Sequence, residues 1–459
     1  MPLSNSTNPT ILLLGTCDTK LSELLYTKEQ LQSQETTVLL IDIGRNPTTH
    51  LEIEITQNDI LNPRLQPDTN IDTTNHNNNP HNDQDHPQLS TLPRADYMAA
   101  LIPHATNLVS TLHQQARIHA VLGIGGSSGT AFATEVMRHA LPVGFPKLMV
   151  STMASGDVGP YIGETDITLM YSVVDIAGRN SVLDRVLENA AAAAAGMARA
   201  YQCRCGPTGQ ASRSPADRPC APRIGITMFG VTTPGVTHAR RYLESTMPGC
   251  EMYVFHATGS GGRAMERLVS EGQLDAVLDL TTTEIADEVV GGVLSAGPSR
   301  LEAATRRDIP RVVSVGACDM VNFGTPESVP AVFRAEGESK RVLYRHNSTV
   351  TLMRTTKEEC AQIARMIARN IVTGMKEEEG SGASCRTSVI LPTGGISMLD
   401  VPGQPFWDPE ADEMLFSTLE DELRGSGLKV IRDKRDINHP EFAVAAAEML
   451  CQLVNRSSV

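Results

Sequence analysis

The sequence predicts an α/β protein of two open, mostly parallel, doubly wound domains joined by a linker. Short apolar runs alternate with segments whose apolar residues recur at helical spacing, beginning with residues 11–43. A stretch rich in Gly, Pro and Ser, residues 203–222, interrupts this rhythm, which starts again at RIGITMFG. The turns that follow the apolar runs are rich in Gly, Thr, Ser and Asp. Rossmann-like sheets bind their ligands at such turns, outside the carboxyl ends of the strands.

The first predicted domain comprises residues 1–202. Residues 11–43 indicate a strand, a helix and a second strand, and further strands are predicted at AVLGIG, KLMVST and ITLMYSVVD. Residues 46–92 contain mainly Asn, Asp, Thr, His, Pro and Gln, and we interpret them as a disordered polar insertion in a surface loop. The irregular spacing of His76, His81 and His86 within it favours a solvated loop over a metal site.

The second predicted domain comprises residues 223–459. Its strands are predicted at RIGITMFG, EMYVFHA, DAVLDL, RVVSVGA and SVILPTGG, with helices between and after them. The linker before it contains Cys203, Cys205 and Cys220, which lack the paired spacing of a zinc site. We therefore expect no metal site in the protein and reduced thiols in a cytoplasmic environment.

Composition and charge exclude several kinds of partner. The chain of 459 residues carries 53 acidic and 39 basic side chains, for a net charge of −14. It has no Lys/Arg stripe with interleaved aromatic residues, so we expect no nucleic-acid partner. It also has no apolar run of about 18 residues and no basic, apolar leader, so we expect no membrane partner and a cytoplasmic location.

The turn GIGGSSGT follows a predicted strand and opens a predicted helix. It lacks the Lys of a P-loop, and Ser128 replaces the third Gly of the dinucleotide fingerprint. Its glycines allow close approach of the backbone, its hydroxyls donate hydrogen bonds, and the following helix presents amides to an anion. Two interpretations stay open, a phosphate cradle and a tight structural corner. The residues concerned are Gly125, Gly126, Ser127, Ser128, Gly129 and Thr130.

Two other turns of the first domain carry polar side chains. In GTCDTK, Asp18 or Thr19 is a candidate helix N-cap. In a functional interpretation, Thr16 and Thr19 donate to phosphate, Lys20 neutralises it, and Asp18 orients a metal ion or a ribose hydroxyl. If strands 1 and 3 flank the point where the strand order reverses, this turn and GIGGSSGT converge on one crevice. The long turn after the next strand adds Thr152, Ser155, Gly156 and Asp157.

The second domain offers candidates for acid–base chemistry. His256 ends a predicted strand, where a structural role is the alternative to that of an acid or base. Glu284 and Asp287 are candidate general acids, bases or metal ligands, or carboxylates of a solvated helix start. Residues 259–262 precede Arg263 and form a second candidate anion nest.

Eight motifs, occurring in order over nearly the whole chain, carry a resemblance to a known family. They are LLLGTCDTK, VLGIGGSSGTAFAT, KLMVSTMASGDVGPYIG, MYSVVDIAGRNSVLDRVLENAA, FGVTTPGV, FHATGSGGRAME, LDLTTTEIADEVVGG and LPTGGISMLDVPGQPFWDPEAD. With these motifs the chain resembles the tomato mosaic virus resistance protein-like ATP-binding domain family of bacteria, fungi and plants.

The resemblance implies two α/β domains, an ATP site in the first domain and a homodimer. Carried over by motif, that site involves Thr16, Asp18, Thr19 and Lys20 together with residues 125–130 and 152–157. The leading hypothesis is a cytosolic ATP-binding protein, with Mg²⁺ as a possible companion, acting as an enzyme on a small polar substrate between the domains. Its alternatives are a non-catalytic, nucleotide-regulated module that binds a protein, and a nucleotide-independent hydrolase or lyase. The catalytic candidates are Asp18, Asp157, His256, Glu284 and Asp287.

Overall fold

A computed structural model describes residues 8–61, 89–205, 221–334, 341–375 and 386–456. The chain divides into two units, residues 1–217 and 218–459, and the main sheet of each unit is parallel. Helices pack on both faces of each of these sheets. The predicted fold class, two open and doubly wound α/β units of Rossmann-like arrangement, is therefore confirmed.

Strands and helices alternate along the first unit. In chain order they are β1 (Thr10–Gly15), α1 (Cys17–Ser33), β2 (Thr37–Asp42), α2 (Gln57–Leu61), α3 (Arg94–Gln114), β3 (Ala120–Gly125), α4 (Ser127–Ala140), β4 (Lys147–Ser151), α5 (Gly159–Ile162), β5 (Thr168–Tyr171) and α6 (Ser181–Cys205). The sheet order is β2-β1-β3-β4-β5, and every pair is parallel. The order reverses between β1 and β3, so the turns after these two strands diverge and leave a crevice at the carboxyl edge.

The sheet of the first unit is apolar on both faces because helices cover both. Leu12 and Leu14 of β1 pack in one core with residues of α3 and α4. Ile11 and Leu13 of the same strand pack in the other core with residues of α1 and α6. A strand that is buried on both faces has a continuous run of apolar residues in its sequence, as in ILLLG.

The polar segment after β2 begins with ordered structure. Ile55 forms a parallel bridge with Ile41 of β2, and Ile53, Ile55 and Ile60 are buried. The Glu54 carboxylate accepts a hydrogen bond from the Leu40 amide at 2.8 Å. The expectation of a disordered insertion is therefore wrong for residues 51–61, because the alternating isoleucines of LEIEI add apolar surface to the core. Of the histidines of the insertion, His76, His81 and His86 lie outside the described residues.

The second unit has a larger parallel sheet and a small antiparallel one. Its elements are β6 (Arg223–Met228), α7 (Thr233–Thr246), β7 (Glu251–His256), α8 (Ser260–Ser270), β8 (Ala276–Thr281), α9 (Thr283–Val290), α10 (Ala303–Arg306), β9 (Arg311–Gly316), β10 (Met320–Phe323), β11 (Leu343–Arg345), β12 (Thr351–Arg354), α11 (Lys357–Val372), β13 (Thr387–Pro392), α12 (Pro409–Glu422), β14 (Lys429–Asp433) and α13 (Pro440–Arg456). The parallel sheet has the order β14-β13-β9-β8-β6-β7, and the antiparallel sheet has the order β10-β12-β11. The sequence patterns did not predict the antiparallel sheet, whose strands are only three or four residues long.

The first residues of the predicted linker, 203–205, are helical. Cys203 and Cys205 belong to α6, which continues to Cys205, and residues 206–220 lie outside the described ranges. Among the helices of the described ranges, none combines the length and the apolar character needed to cross a membrane.

Candidate functional site

A cavity of about 260 Å³ opens in the first unit where the turns after β1 and β3 diverge. We call it the switch-point pocket. Its lining residues are Thr16, Asp18, Thr19 and Lys20, then Ile43 and Arg45, then Arg94, Tyr97 and Met98, and finally Gly126, Ser127, Ser128, Gly129 and Phe132. The two turns thus line one pocket, as the strand-order argument anticipated for strands 1 and 3.

The first turn presents the start of α1 to this pocket. The N-cap is Thr16, not Asp18 or Thr19 as expected, and its side chain accepts no capping hydrogen bond from the helix. The Thr16 hydroxyl is instead paired with the Thr19 hydroxyl at 2.9 Å. Asp18 accepts hydrogen bonds from the Asn46 backbone amide at 3.1 Å and from its side-chain amide at 3.2 Å. Asp18 therefore joins this turn to the segment that follows β2.

The second turn presents the start of α4. Gly126 is the N-cap and has no side chain with which to cap the helix, so the first amides of α4 face the pocket without a side-chain acceptor from that residue. A Cβ atom on Gly126 would lie 3.8 Å from the nearest atom, and one on Gly129 also 3.8 Å. Neither glycine is therefore required by packing within the protein. Gly125 differs, because its Cβ would lie 2.8 Å from the Cα of Gly129.

Three cationic side chains line the switch-point pocket, and only Lys20 was predicted from the sequence. Lys20 donates a hydrogen bond to the Ile176 carbonyl, in the turn after β5. No carboxylate of the described residues forms an ion pair with Lys20, Arg45 or Arg94, and the buried Nε of Arg45 has no hydrogen-bond partner there. Arg45 directly follows the apolar run TVLLIDIG, and this position after a predicted strand is the signal that could have identified it.

Buried polar groups hold the loop that carries Arg45. Oδ1 of Asp42 accepts hydrogen bonds from the Cys17 amide at 3.0 Å and the Gly44 amide at 2.8 Å. Burial raises the pKa of Asp42 above its usual range, with Asp18 contributing in the same direction. The Tyr97 hydroxyl donates to the Ile43 and Gly44 carbonyls, each at 2.6 Å, and burial raises the Tyr97 pKa as well. These contacts hold the loop after β2 against the start of α1 on one side and against α3 on the other.

The remaining predicted residues of the first unit lie elsewhere. Thr130 is buried, with its hydroxyl 2.6 Å from that of Ser151. Thr152 lines a neighbouring pocket, whereas Ser155 and Gly156 are exposed and line neither pocket. Asp157 accepts a hydrogen bond from the Gly159 amide at 3.0 Å, at the start of α5, and also lies outside both pockets. The structure therefore does not bring the 155–157 segment to the switch-point pocket.

Comparison with known sequences assigns the family. Residues 9–203 match the N-terminal domain of the uncharacterised protein family UPF0261, and residues 221–454 match its C-terminal domain. The chain belongs to this family. The UPF0261 protein of Clostridium tetani (strain Massachusetts / E88) is 40% identical to it, over 98% of this chain and 100% of that protein.

A plant relative of this UPF0261 chain is longer. The ToMV resistance protein Tm-1(GCR237) of Solanum lycopersicum is 35% identical over 100% of this chain, which spans 57% of the tomato protein. The family resemblance stated from the motifs is thus confirmed, whereas its ATP-binding part stays a prediction because the family description names no ligand. Among solved structures, Acinetobacter baumannii MurG is similar at 10% identity and a TM-score of 0.19, which is too distant to bear on function.

In the second unit of this UPF0261 protein, an internal carboxylate fills the candidate anion nest. Oε1 of Glu284 accepts hydrogen bonds from the Gly259 amide at 2.7 Å and the Gly262 amide at 3.0 Å. Its Oε2 accepts from the Arg300 Nε at 2.8 Å. Glu284 is fully buried, and burial raises its pKa although Arg300 opposes the shift. The expectation of an external anion at residues 259–262 is therefore wrong.

The other catalytic candidates of the second unit are Asp287, which is buried, and His256, which is exposed. Asp287 is fully buried and accepts from the Leu294 amide at 2.7 Å and the Asn322 amide at 2.8 Å. Burial raises the pKa of Asp287 to about 7. Because Glu284 and Asp287 are inaccessible, they form neither a solvated helix start nor a site open to substrate. His256 is exposed, and its ring lies 5.6 Å from that of Phe229, centroid to centroid.

Proposed function

We propose that the first unit of this protein binds ATP, with the phosphates of the nucleotide in the switch-point pocket. One observation carries the proposal: α4 begins at this pocket, beside the start of α1, without a side-chain cap, and three cationic side chains without carboxylate partners in the described chain line the same pocket. Helix N-termini favour anions because their first amides lack acceptors and the helix dipole is positive there. The family resemblance independently implies the same ligand.

The polar groups of the pocket suit a phosphate chain. Ser127 and Ser128 bring hydroxyl donors beside the α4 amides, and Thr16 and Thr19 bring two more beside α1. Arg45 supplies a guanidinium, which matches phosphate oxygens with parallel N–H donors. The open space beside Gly126 and Gly129 allows an oxygen to approach the backbone, which supports the cradle interpretation over the structural corner.

Asp18 is the carboxylate among the lining residues and fits a magnesium companion of the nucleotide. Mg²⁺ in nucleotide sites is held by one or two carboxylates together with phosphate oxygens and water. In the described part of the chain no group of three or more His, Cys, Asp or Glu side chains is arranged to hold a metal ion. Most ligands of a magnesium ion here would therefore come from the nucleotide and water, with Asp18 as the protein ligand.

Turnover separates the enzymatic form of this proposal from the regulatory one. Release of phosphate from ATP by the wild-type chain, lost in Asp18→Asn with ATP still bound, supports an ATP-dependent enzyme. ATP binding without phosphate release supports the nucleotide-regulated, protein-binding module. Glu284 and Asp287 cannot serve as catalytic groups in the hydrolase or lyase alternative, because both are buried and accept hydrogen bonds from internal donors.

The proposal is tested by calorimetric titration of the full chain with ATP and magnesium, with GTP and NAD for comparison. Arg45→Met and Arg94→Met should each weaken ATP binding by roughly tenfold or more, because each removes a charge-assisted hydrogen bond to phosphate. Arg117→Met is the matched control, since Arg117 lines a pocket at the opposite, amino-terminal edge of the same sheet. No binding of ATP, or equal losses in Arg117→Met and Arg45→Met, would contradict the proposal.

A further inference from the structure

A second pocket adjoins the switch-point pocket on the other side of the α4 N-terminus. Its volume is about 430 Å³, and it shares Gly126 and Ser127 with the switch-point pocket. The turn after β4, the last residue of β5 and the turn after β5 supply its other walls, with apolar side chains that we call the apolar shelf: Met153, Tyr171, Val173 and Val174. The family description names no ligand, and of the shelf residues the motifs assign only Met153, within residues 152–157, to the expected ATP site.

The apolar shelf is unusually exposed for apolar surface. The large exposed apolar side chains in the described part of the first unit are Leu51, Met153, Tyr171, Val173 and Val182, and three of these five lie on the shelf. Tyr171 is 42% exposed and Val173 is 58% exposed. Apolar side chains gathered in one concave place, beside a polar cradle, are typical of a ligand pocket.

The backbone at Val173 is held in a conformation that valine rarely adopts. Its φ of 67° lies in the left-handed region, which is strained for a β-branched residue. The Val174 amide donates to the Ser172 carbonyl at 2.7 Å, and the Ser172 hydroxyl donates to the Val174 carbonyl at 2.7 Å. This tight turn keeps the Val173 side chain at the solvent side of the shelf. Strain of this kind is retained where the surrounding structure or a ligand requires it.

Polar groups at the rim suit the sugar of a nucleotide. The Asp175 side chain lines the same pocket, and its Oδ1 accepts from the Ile176 amide at 2.8 Å. The carboxylate retains acceptor capacity for ribose hydroxyl donors. Lys20 lines the switch-point pocket and donates to the carbonyl of Ile176, the residue after Asp175. Lys20 therefore joins the rims of the two pockets.

We propose that the apolar shelf binds the base of the same nucleotide whose phosphates occupy the switch-point pocket, with Asp175 facing the ribose. This inference rests on the proposed function and assigns the second half of its ligand. The nucleotide passes the α4 N-terminus along Gly126 and Ser127, the residues that both pockets share. The base stacks on Tyr171, because an aromatic ring covers a planar base without reading its hydrogen-bonding edge.

The test compares ATP with inorganic tripolyphosphate, which has the phosphates and no base, in calorimetric titrations of the full chain. Tyr171→Ala should weaken ATP binding by roughly 5- to 150-fold, the range found for base–aromatic stacking, and leave tripolyphosphate binding unchanged. Tyr171→Phe should retain most of the ATP affinity. Val182→Ala removes a similarly exposed apolar side chain outside both pockets and should change neither affinity.

Val173→Gly provides a second variant with a readout of its own. Glycine removes the strain at positive φ, so the midpoint of thermal unfolding should rise or hold while the affinity for ATP falls. Unchanged ATP affinity in both Tyr171→Ala and Val173→Gly overturns the base assignment, as does an equal loss of ATP and tripolyphosphate binding. If the wild-type chain binds neither ATP nor tripolyphosphate, the proposed function itself is overturned.

Discussion

Gly125 and Gly126 are neighbours in the chain, but they lack a side chain for different reasons. A Cβ on Gly125 would press against the backbone of Gly129 and Thr130, at 2.8 to 3.0 Å. A Cβ on Gly126 would meet only the Thr152 hydroxyl, at 3.8 Å, and the backbone there has an ordinary, negative φ of −78°. Packing accounts for the first glycine, whereas the approach of a ligand would account for the second.

Gly126→Val should abolish or strongly weaken ATP binding and leave the stability of the fold nearly unchanged. The two γ-methyl groups would fill the space in which we place a phosphate, while the backbone conformation remains accessible to valine. Calorimetric titration and thermal unfolding of the same preparation check both halves of the prediction.

Gly125→Ala is the contrasting variant and should unfold at a lower temperature, because its Cβ must displace backbone atoms of α4. Retained ATP affinity in Gly126→Val would remove the cradle interpretation. Equal destabilisation of the two variants would show that both glycines serve only the strand-to-helix corner.

At the scale of the element, α8 is capped from within the protein. Gly259 is the N-cap of this helix and has a φ of 82°. The Glu284 carboxylate of α9 accepts hydrogen bonds from the backbone amides of Gly259 and Gly262. The other carboxylate oxygen contacts Arg300, which also pairs with Asp279 at 2.6 Å. The cap therefore links α8, β8, α9 and the segment before α10.

Glu284→Gln should destabilise the second unit by about 3 kcal/mol. Loss of one partner from a buried, hydrogen-bonded charge network is strongly unfavourable, and the new amide N–H₂ would face either Arg300 or the helix amides as a second donor. Urea unfolding followed by the fluorescence of Trp407, the single tryptophan, reports on this unit.

Glu244→Gln is the control for this change, because Glu244 forms an exposed ion pair with Arg240 on α7. An exposed pair of this kind contributes less than about 1 kcal/mol. If the two variants unfold at the same urea concentration, the Glu284 carboxylate is not the cap that its geometry indicates.

At the scale of the whole molecule, buried carboxylates predict the pH dependence of stability. In the second unit, Asp319, Asp400 and Asp412 surround Arg354, whose Nη2 lies 2.6 Å from Oδ1 of Asp412 and 3.7 Å from Oδ1 of Asp400. One guanidinium cannot neutralise three carboxylates. Burial, followed by repulsion from Asp319, raises the pKa of Asp400 to about 9.

A pKa that is higher in the folded than in the unfolded chain means that the folded chain holds the extra proton. The stabilising effect of that proton is complete below the ordinary Asp pKa of about 3.9 and is lost as the pH rises to about 9. We therefore expect the second unit to become less stable between pH 5 and pH 9, by up to about 1.4 kcal/mol per pH unit for one such group.

Asp400→Asn should flatten this dependence, because the amide imitates the protonated acid. Unfolding midpoints from Trp407 fluorescence at several pH values measure the slope, and Asp421→Asn, an exposed site on α12, should keep the wild-type slope. A wild-type stability that rises between pH 5 and pH 9 would contradict the assignment of a neutral Asp400. The homodimer that the resemblance implies also stays a prediction at this scale.

Much of the fold could be predicted from sequence because strands buried on both faces leave apolar runs, such as ILLLG and AVLGIG, and each run here ends in a polar turn. The antiparallel sheet escaped prediction because its short strands carry too few residues for a period to show. The ordered part of the insertion was not predicted, because polar residues outnumber its buried isoleucines, Ile53, Ile55 and Ile60.

The family, the parallel α/β class and the two turns that line the switch-point pocket can be recognised from the sequence, because local residue patterns encode each of them. Which side chains meet depends on how the elements pack. Packing brought Arg45 and Arg94 to the pocket from segments far from either turn, and it placed Glu284 inside the nest expected to bind an external anion. The physical reason is that burial and proximity depend on which elements pack together, and spacing along the chain does not record that.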